Sequence, residues 1–245
     1  MIGLGSEMYL AAVAVLVAGF IRGFSGFGAG MILVPVLSLL YSPVVAVVTV
    51  ALLELTPAIQ LLPGALSRCH WRSVVPMSLM ASLAVPIGAM ALINIDVEIM
   101  RVAIATLVLL SVFVMAIGWR YRGEDKQGHV AMITGFGSGL ISGATSLGGL
   151  PVIFYYLSGT YTSSVARASM IVFLVFSTVI ALITFLFHDI VTVKILGFTA
   201  WLLPLFIVAT WAGGKMFGKV SEAMFRTATL TLLGGVGVLM MFGKT

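Results

Sequence analysis

Apolar residues run along this chain in long blocks and not in alternation. Six blocks, about 43–66, 73–93, 99–119, 164–187, 190–212 and 223–243, each predict a membrane-spanning helix. Barrel strands alternate apolar and polar positions, and stretches such as Val102 to Ile117 do not. Two more apolar blocks, about 8–40 and 130–158, are interrupted by glycine. The first reads GFIRGFSGFGAGM from Gly19, the second GFGSGLISGATSLGGLP from Gly135. A glycine inside a helix costs about 1 kcal/mol relative to alanine, so each block is expected to break midway into a hairpin of half-helices.

The two halves repeat. An offset of 120 pairs Gly19 with Gly139, Ile21 with Ile141, Gly23 with Gly143 and Gly28 with Gly148. It also aligns Ser25 with Thr145, Gly26 with Ser146, Ala29 with Gly149 and Thr49 with Ser169. Further on, an offset of 125 pairs Ala84 with Ala209, Gly88 with Gly213 and Arg101 with Arg226. Residues 1–119 form the N-terminal repeat, 120–129 a cytoplasmic linker and 130–245 the C-terminal repeat.

Composition narrows the class. The chain is 61% hydrophobic and only 9% charged, against about 25% charged in a soluble domain. That excludes an ordinary cytosolic enzyme, a disordered tail and a secreted disulfide scaffold; the single cysteine, Cys69, allows no internal disulfide. The net charge of +5 sits at the ends of apolar blocks, which orients helices in a bilayer and does not point to nucleic acid. Residues 1–10 lack a basic leader, so no cleavable signal is expected.

Charge also chooses between topologies. If each glycine-rich block is a hairpin, nine basic residues (Arg68, Arg72, Arg120, Arg122, Lys126, Arg167, Lys215, Lys219 and Arg226) share the cytoplasmic side with the 67–72 loop. Arg101, Lys194 and Lys244 then lie outside and Arg22 within the membrane. If both blocks cross once, the split is seven against five. The positive-inside rule favours hairpins, and with a hairpin in each half the repeats are inverted. The expected fold is therefore an all-α polytopic membrane protein of two inverted repeats, each a broken-helix hairpin plus three transmembrane helices.

Interrupted helices at membrane depth line a cavity or are buried in protein. In inverted-repeat transporters they hold substrate near the midplane. A helix starting after each break would turn free N–H groups and its positive dipole end to that centre, which suits an anion. The candidate binding residues are Arg22, Ser25, Gly26, Phe27, Gly28, Ala29 and Gly30 in the first block, and Thr145, Ser146, Leu147, Gly148 and Gly149 in the second. The alternative is that these glycines serve close helix packing, the role expected of Gly88, Gly213, Gly234 and Gly235.

The run GFIRGFSGFGAG, its echo GLISGATSLGG and the duplicated layout resemble the TauE/SafE sulfite exporter family, also called the four-toluene sulfonate uptake permease family. The likeness covers nearly the whole chain. Leu150 and Pro151 stand where many members continue with glycine and proline. The resemblance implies a secondary transporter of sulfite, an organosulfonate or a related sulfur compound, usually outward. The residues on their own reach only an anion-compatible secondary transporter; the resemblance implies a bacterial-type inner membrane, and a homodimer is compatible with this plan. An anion channel or a permease for another small anion is the alternative, and an embedded enzyme or an assembly subunit is a third class.

Individual side chains carry two readings each. Arg22 would anchor an oxyanion through forked donors, or snorkel or pair with an acid. Glu54, the only acid deep in an apolar block, would carry a coupling proton or neutralise an arginine. Gln60 would line the same cavity or bond to a neighbouring helix. Thr49 and Ser169 would offer substrate hydroxyls or helix–helix hydrogen bonds, and Arg167 a gate or an interfacial charge. Cys69 is a redox thiol or inert structure; Arg68 and Arg72 would lower its pKa if close. His70, His129 and His188 have no metal-ligand spacing, so neither metal nor cofactor is expected. No Ser-His-Asp, Walker, GxSxG or HExxH pattern is present, so neither an enzyme nor ATP-driven transport by this chain alone is expected.

Overall fold

The computed structural model describes residues 5–25, 28–117, 128–157, 161–216 and 235. Among these residues the chain is helical, with no strand. The helices are α1 (Ser6–Ser25), α2 (Ala29–Leu40), α3 (Pro43–Leu66), α4 (Trp71–Asn94), α5 (Val97–Ile117), α6 (Gly128–Thr145), α7 (Gly149–Leu157), α8 (Ser163–Phe187) and α9 (Val193–Met216). Six of them, α1, α3, α4, α5, α8 and α9, are long and apolar enough to cross a membrane. Five coincide with expected blocks. The charges Arg120, Arg122, Lys126, Lys219, Arg226 and Lys244 lie outside the described residues, as does the sixth expected block, 223–243, apart from residue 235.

Both glycine-rich blocks break, but not into equal halves. The first limbs, α1 and α6, are 20 and 18 residues long, or about 30 and 27 Å at 1.5 Å per residue. The returning limbs α2 and α7 are 12 and 9 residues. Gly19, Gly23, Gly135, Gly139 and Gly143 thus lie inside continuous helices, contrary to the expectation that they interrupt them. The intrinsic cost of these glycines is offset by packing.

The chain forms two compact units. One comprises Met1–Leu53, Ile95–Gly118 and Val191–Thr245, the other Glu54–Asn94 and Trp119–Ile190. Helix α3 contributes residues 43–53 to the first and 54–66 to the second. In the first unit α1 packs on α9 and α2, and α2 on α5. In the second, α6 packs on α4 and α7, and α8 touches α4, α6 and α7. Each hairpin therefore packs against a helix from the other half of the sequence.

Glycine makes those two crossings possible. A Cβ on Gly139 would lie 2.7 Å from Ala81 Cα and 3.0 Å from Ala84 Cβ, and one on Gly143 2.8 Å from Ala89 N. A Cβ on Gly19 would lie 2.9 Å from Ala209 Cβ, and one on Gly23 2.9 Å from Gly214 N. Gly88 abuts the Leu140 carbonyl, and Gly213 the Phe20 carbonyl. These contacts map onto one another under the offsets of 120 on the hairpins and 125 on the partner helices. In both pairs the residue numbers rise together along the contact, so α6 runs parallel to α4 and α1 parallel to α9. Gly88 and Gly213 have the packing role expected of them.

Candidate functional site

The second break is three residues long: Ser146, Leu147 and Gly148 join α6 to α7. Ser146 adopts a left-handed backbone with φ 56°, a region a residue with a Cβ enters at a cost. Thr145 holds the turn: its Oγ1 donates to the Ile141 carbonyl at 2.7 Å and accepts the Leu147 N–H at 3.2 Å. Leu147 is buried and anchors the turn in the apolar interior.

The break then folds back over a serine face of α6. Ser138 and Ser142 stand four residues apart, on the same side of the helix. Ser138 Oγ donates to the Gly148 carbonyl. A Cβ on Gly148 would lie 2.5 Å from both the Ser138 carbonyl and Ser142 Cβ, so only glycine fits there. From α8, Ser177 Oγ donates to Ser142 Oγ at 3.0 Å. Ser138, Ser142, Thr145 and Ser177 are all buried. No Asp, Glu, Lys or Arg occurs from residue 128 to 166. The site is thus a group of buried hydroxyls beside an interrupted backbone in an apolar unit. Such a group can hold a polar or anionic guest through neutral dipoles.

The first break follows the same plan where it is described. Gly28 caps α2 with φ 92°, a left-handed conformation that glycine adopts without strain. Ala29 and Gly30 are buried in the first turn of α2, and Arg22 is half-buried in the last turn of α1. Gly26 and Phe27 lie outside the described residues, as does the Ser25 side chain.

The remaining candidates divide. Gly149 is half-buried at the start of α7, where its open side faces Leu174. The repeat mates Thr49 and Ser169 are both fully buried but differ in their bonds. Ser169 Oγ donates to the Val165 carbonyl at 2.8 Å and accepts the His70 N–H at 2.9 Å. Thr49 Oγ1 has no hydrogen-bond partner among the described residues. Glu54 is half-buried in α3, Gln60 is exposed on the same helix, and Arg167 is exposed on α8. Burial pushes the Cys69 thiol up despite its bond to backbone, so the lowering expected from Arg68 and Arg72 does not govern it. At the other unit's loop between α2 and α3, burial and then the Glu7 charge push the Tyr41 hydroxyl up.

Ser138 and Ser177 were not among the candidate residues read from the sequence, and neither was Ser142, which the offset of 120 pairs with Arg22. The i, i+4 spacing of Ser138 and Ser142 beside a glycine run was a signal for those two. Ser177 had none, because its role depends on which helix lies against α6.

The helices, the two glycine-dependent breaks and the apolar spans define a multi-pass helical membrane protein built around broken hairpins. Residues 11–240 match the family model described as Sulfite exporter TauE/SafE, and the chain belongs to that family. It is 28% identical over 240 residues to the probable sulfite/organosulfonate exporter TauE of Cupriavidus necator, covering 93% of this chain and 91% of that protein. No solved structure matches the chain.

Proposed function

We propose that this protein is a secondary transporter that exports a small sulfur oxyanion, sulfite or an organosulfonate, across the inner membrane by alternating access. The single observation that carries the reading is the second break. It sets buried hydroxyls and a turned backbone inside an apolar unit of a chain from the sulfite exporter family. The name of the Cupriavidus necator relative supports the substrate class.

In this reading Ser138 and Thr145 hold the turn, since their protons go to the Gly148 and Ile141 carbonyls. Ser142 accepts the Ser177 proton and offers its own to the anion. Gly148 keeps the chain close enough to α6 for that hydroxyl to lie beside the break. Neutral donors suit a substrate that must leave again: a full counter-charge at this depth would hold it too tightly.

The inverted arrangement of the repeats belongs to the same proposal. The parallel course of α4 and α6 supports it, because positive-inside charges put the starts of both on the cytoplasmic side. Proton coupling through Glu54 is the further element.

The test is counterflow of radiolabelled sulfite in proteoliposomes, with sulfate, thiosulfate and organosulfonates as competitors. Saturable counterflow blocked by a sulfonate is expected. Steady conductance without counterflow would identify a channel and overturn the transporter. Substituting Glu54→Gln is expected to make transport insensitive to a pH gradient while substrate binding survives. An unchanged gradient response removes Glu54 from the coupling step.

A further inference from the structure

The two breaks align at an offset of 120 but adopt different conformations. Gly28 is left-handed, at φ 92°, while its mate Gly148 is not. A Cβ on Gly148 would lie 2.5 Å from the Ser138 carbonyl and from Ser142 Cβ, whereas one on Gly28 would meet no atom within 4 Å. Gly148 is buried and Gly28 half-buried. The start of α7 is thus pressed onto α6, and the start of α2 has open space at the equivalent point.

Side-chain bonds follow the same division. Three of them hold the second hairpin. Ser138 Oγ donates to the Gly148 carbonyl, and Ser177 Oγ to Ser142 Oγ. Ser73 Oγ on α4 lies 2.7 Å from the Tyr156 hydroxyl on α7, and both residues are buried. The offsets of 120 and 125 put Ala18 in place of Ser138, Pro57 in place of Ser177, and Val36 and Phe198 in place of Tyr156 and Ser73. None of these four side chains has a polar atom, so the three bonds cannot form in the first half in any conformation.

Buried hydroxyls divide in the same way. Among the described residues, Ser38, Tyr41, Thr49, Thr199 and Thr210 have buried hydroxyls with no hydrogen-bond partner. All five belong to the first unit, and Ser38 and Tyr41 lie on α2 and at its C-cap. No described residue of the second unit is in that condition. A buried hydroxyl without a partner carries a desolvation cost that nothing offsets. The first unit is therefore in a conformation its own side chains disfavour, and the second in one its side chains hold.

We propose that α2 is the moving gate of the transport cycle: in a second state its start closes onto α1, as the start of α7 is closed onto α6, while α7 stays fixed. The gating role rests on the function proposed above; the unequal mobility of the two return limbs is a property of the fold. Glycine adopts either sign of φ without strain, so Gly28 passes between the two backbones at no steric cost. Two discrete packings of one element are what a switch requires, and the aligned breaks display one packing each.

Amide hydrogen exchange of the full chain in detergent, read by mass spectrometry, compares α2 with α7. In wild type α2 is expected to exchange about tenfold faster than α7 or more, given three missing bonds, and saturating sulfite to slow α2 alone. Ala18→Ser supplies in the first half the hydroxyl that Ser138 supplies in the second. It is expected to slow α2 exchange and the maximal rate of sulfite counterflow by about fivefold each. Y156F is expected to speed α7 exchange about fivefold and leave α2 as it was. Equal exchange in α2 and α7, or protection of α7 alone by sulfite, overturns the proposal, whatever transport does. Slower α2 exchange in A18S at an unchanged counterflow rate also overturns it. The expected exchange pattern, in a wild-type protein that moves no sulfite, upholds the unequal limbs and refutes the transport reading.

Discussion

Gly143 and Ala89 meet backbone to backbone: a Cβ on Gly143 would lie 2.8 Å from the Ala89 nitrogen. Neither helix can yield there without moving as a whole. Gly143→Ala is expected to destabilise the protein by about 1–3 kcal/mol, the usual range for overpacking. Gly23→Ala should behave alike, since its Cβ would lie 2.9 Å from Gly214 N. Gly64→Ala is the control, because no atom comes within 4 Å of a Cβ there. Thermal unfolding in detergent would measure all three. Equal melting temperatures for G143A and G64A would show that the crossing is not close.

Ser146 sits at φ 56° where its repeat mate in the first half is Gly26. A left-handed residue bearing a Cβ costs about 1–2 kcal/mol relative to glycine. Ser146→Gly is therefore expected to raise the melting temperature. Gly28→Ala, at φ 92°, is expected to lower it. Opposite signs from two exchanges of similar size separate backbone strain from packing.

Ser142 and Ser177 share one hydrogen bond, with Ser142 accepting. Hydrogen bonds to a charged partner contribute about 1.5–3 kcal/mol. Ser142→Ala should weaken sulfite binding by tenfold or more, measured as the concentration for half-maximal counterflow. Ser177→Ala should weaken it less, because Ser177 acts through Ser142. Equal small effects from both would place the anion elsewhere.

Burial raises the Cys69 pKa in the folded chain. For an acid raised on folding, the stabilising contribution is complete below the unfolded pKa of about 8.5 and is lost as pH rises through the folded value. Two outcomes follow. Maleimide should react more slowly with native protein than with the unfolded chain at pH 8, and Cys69→Ser should weaken the dependence of stability on pH above 8.5. A native thiol reacting faster than the unfolded one would contradict the raised value.

Local signals in the sequence located the breaks and most helices. The positions from Ser146 to Gly148 and at Gly28 were legible because turns and glycine-dependent backbones depend on neighbours in the chain. Blocks such as 164–187 were legible because a span needs only length and apolarity. The continuity of α1 and α6 through Gly19 and Gly139 was not, because intrinsic propensity says nothing of the helix that packs against them. The bond from Ser177 to Ser142 and the bond between Ser73 on α4 and Tyr156 on α7 were hidden for the same reason. They join residues 35 and 83 positions apart, and no pattern within either segment announces its partner.

The crossing of α1 with α9 sets an order on synthesis. The first hairpin leaves the ribosome with its small-residue groove complete, yet the surface that fills the groove begins at Val193. Through most of translation that groove faces lipid or the insertion machinery. A nascent chain stopped before Val193 would hold a hairpin with no mate, so each half, expressed by itself, should be degraded unless the other is supplied in the same cell.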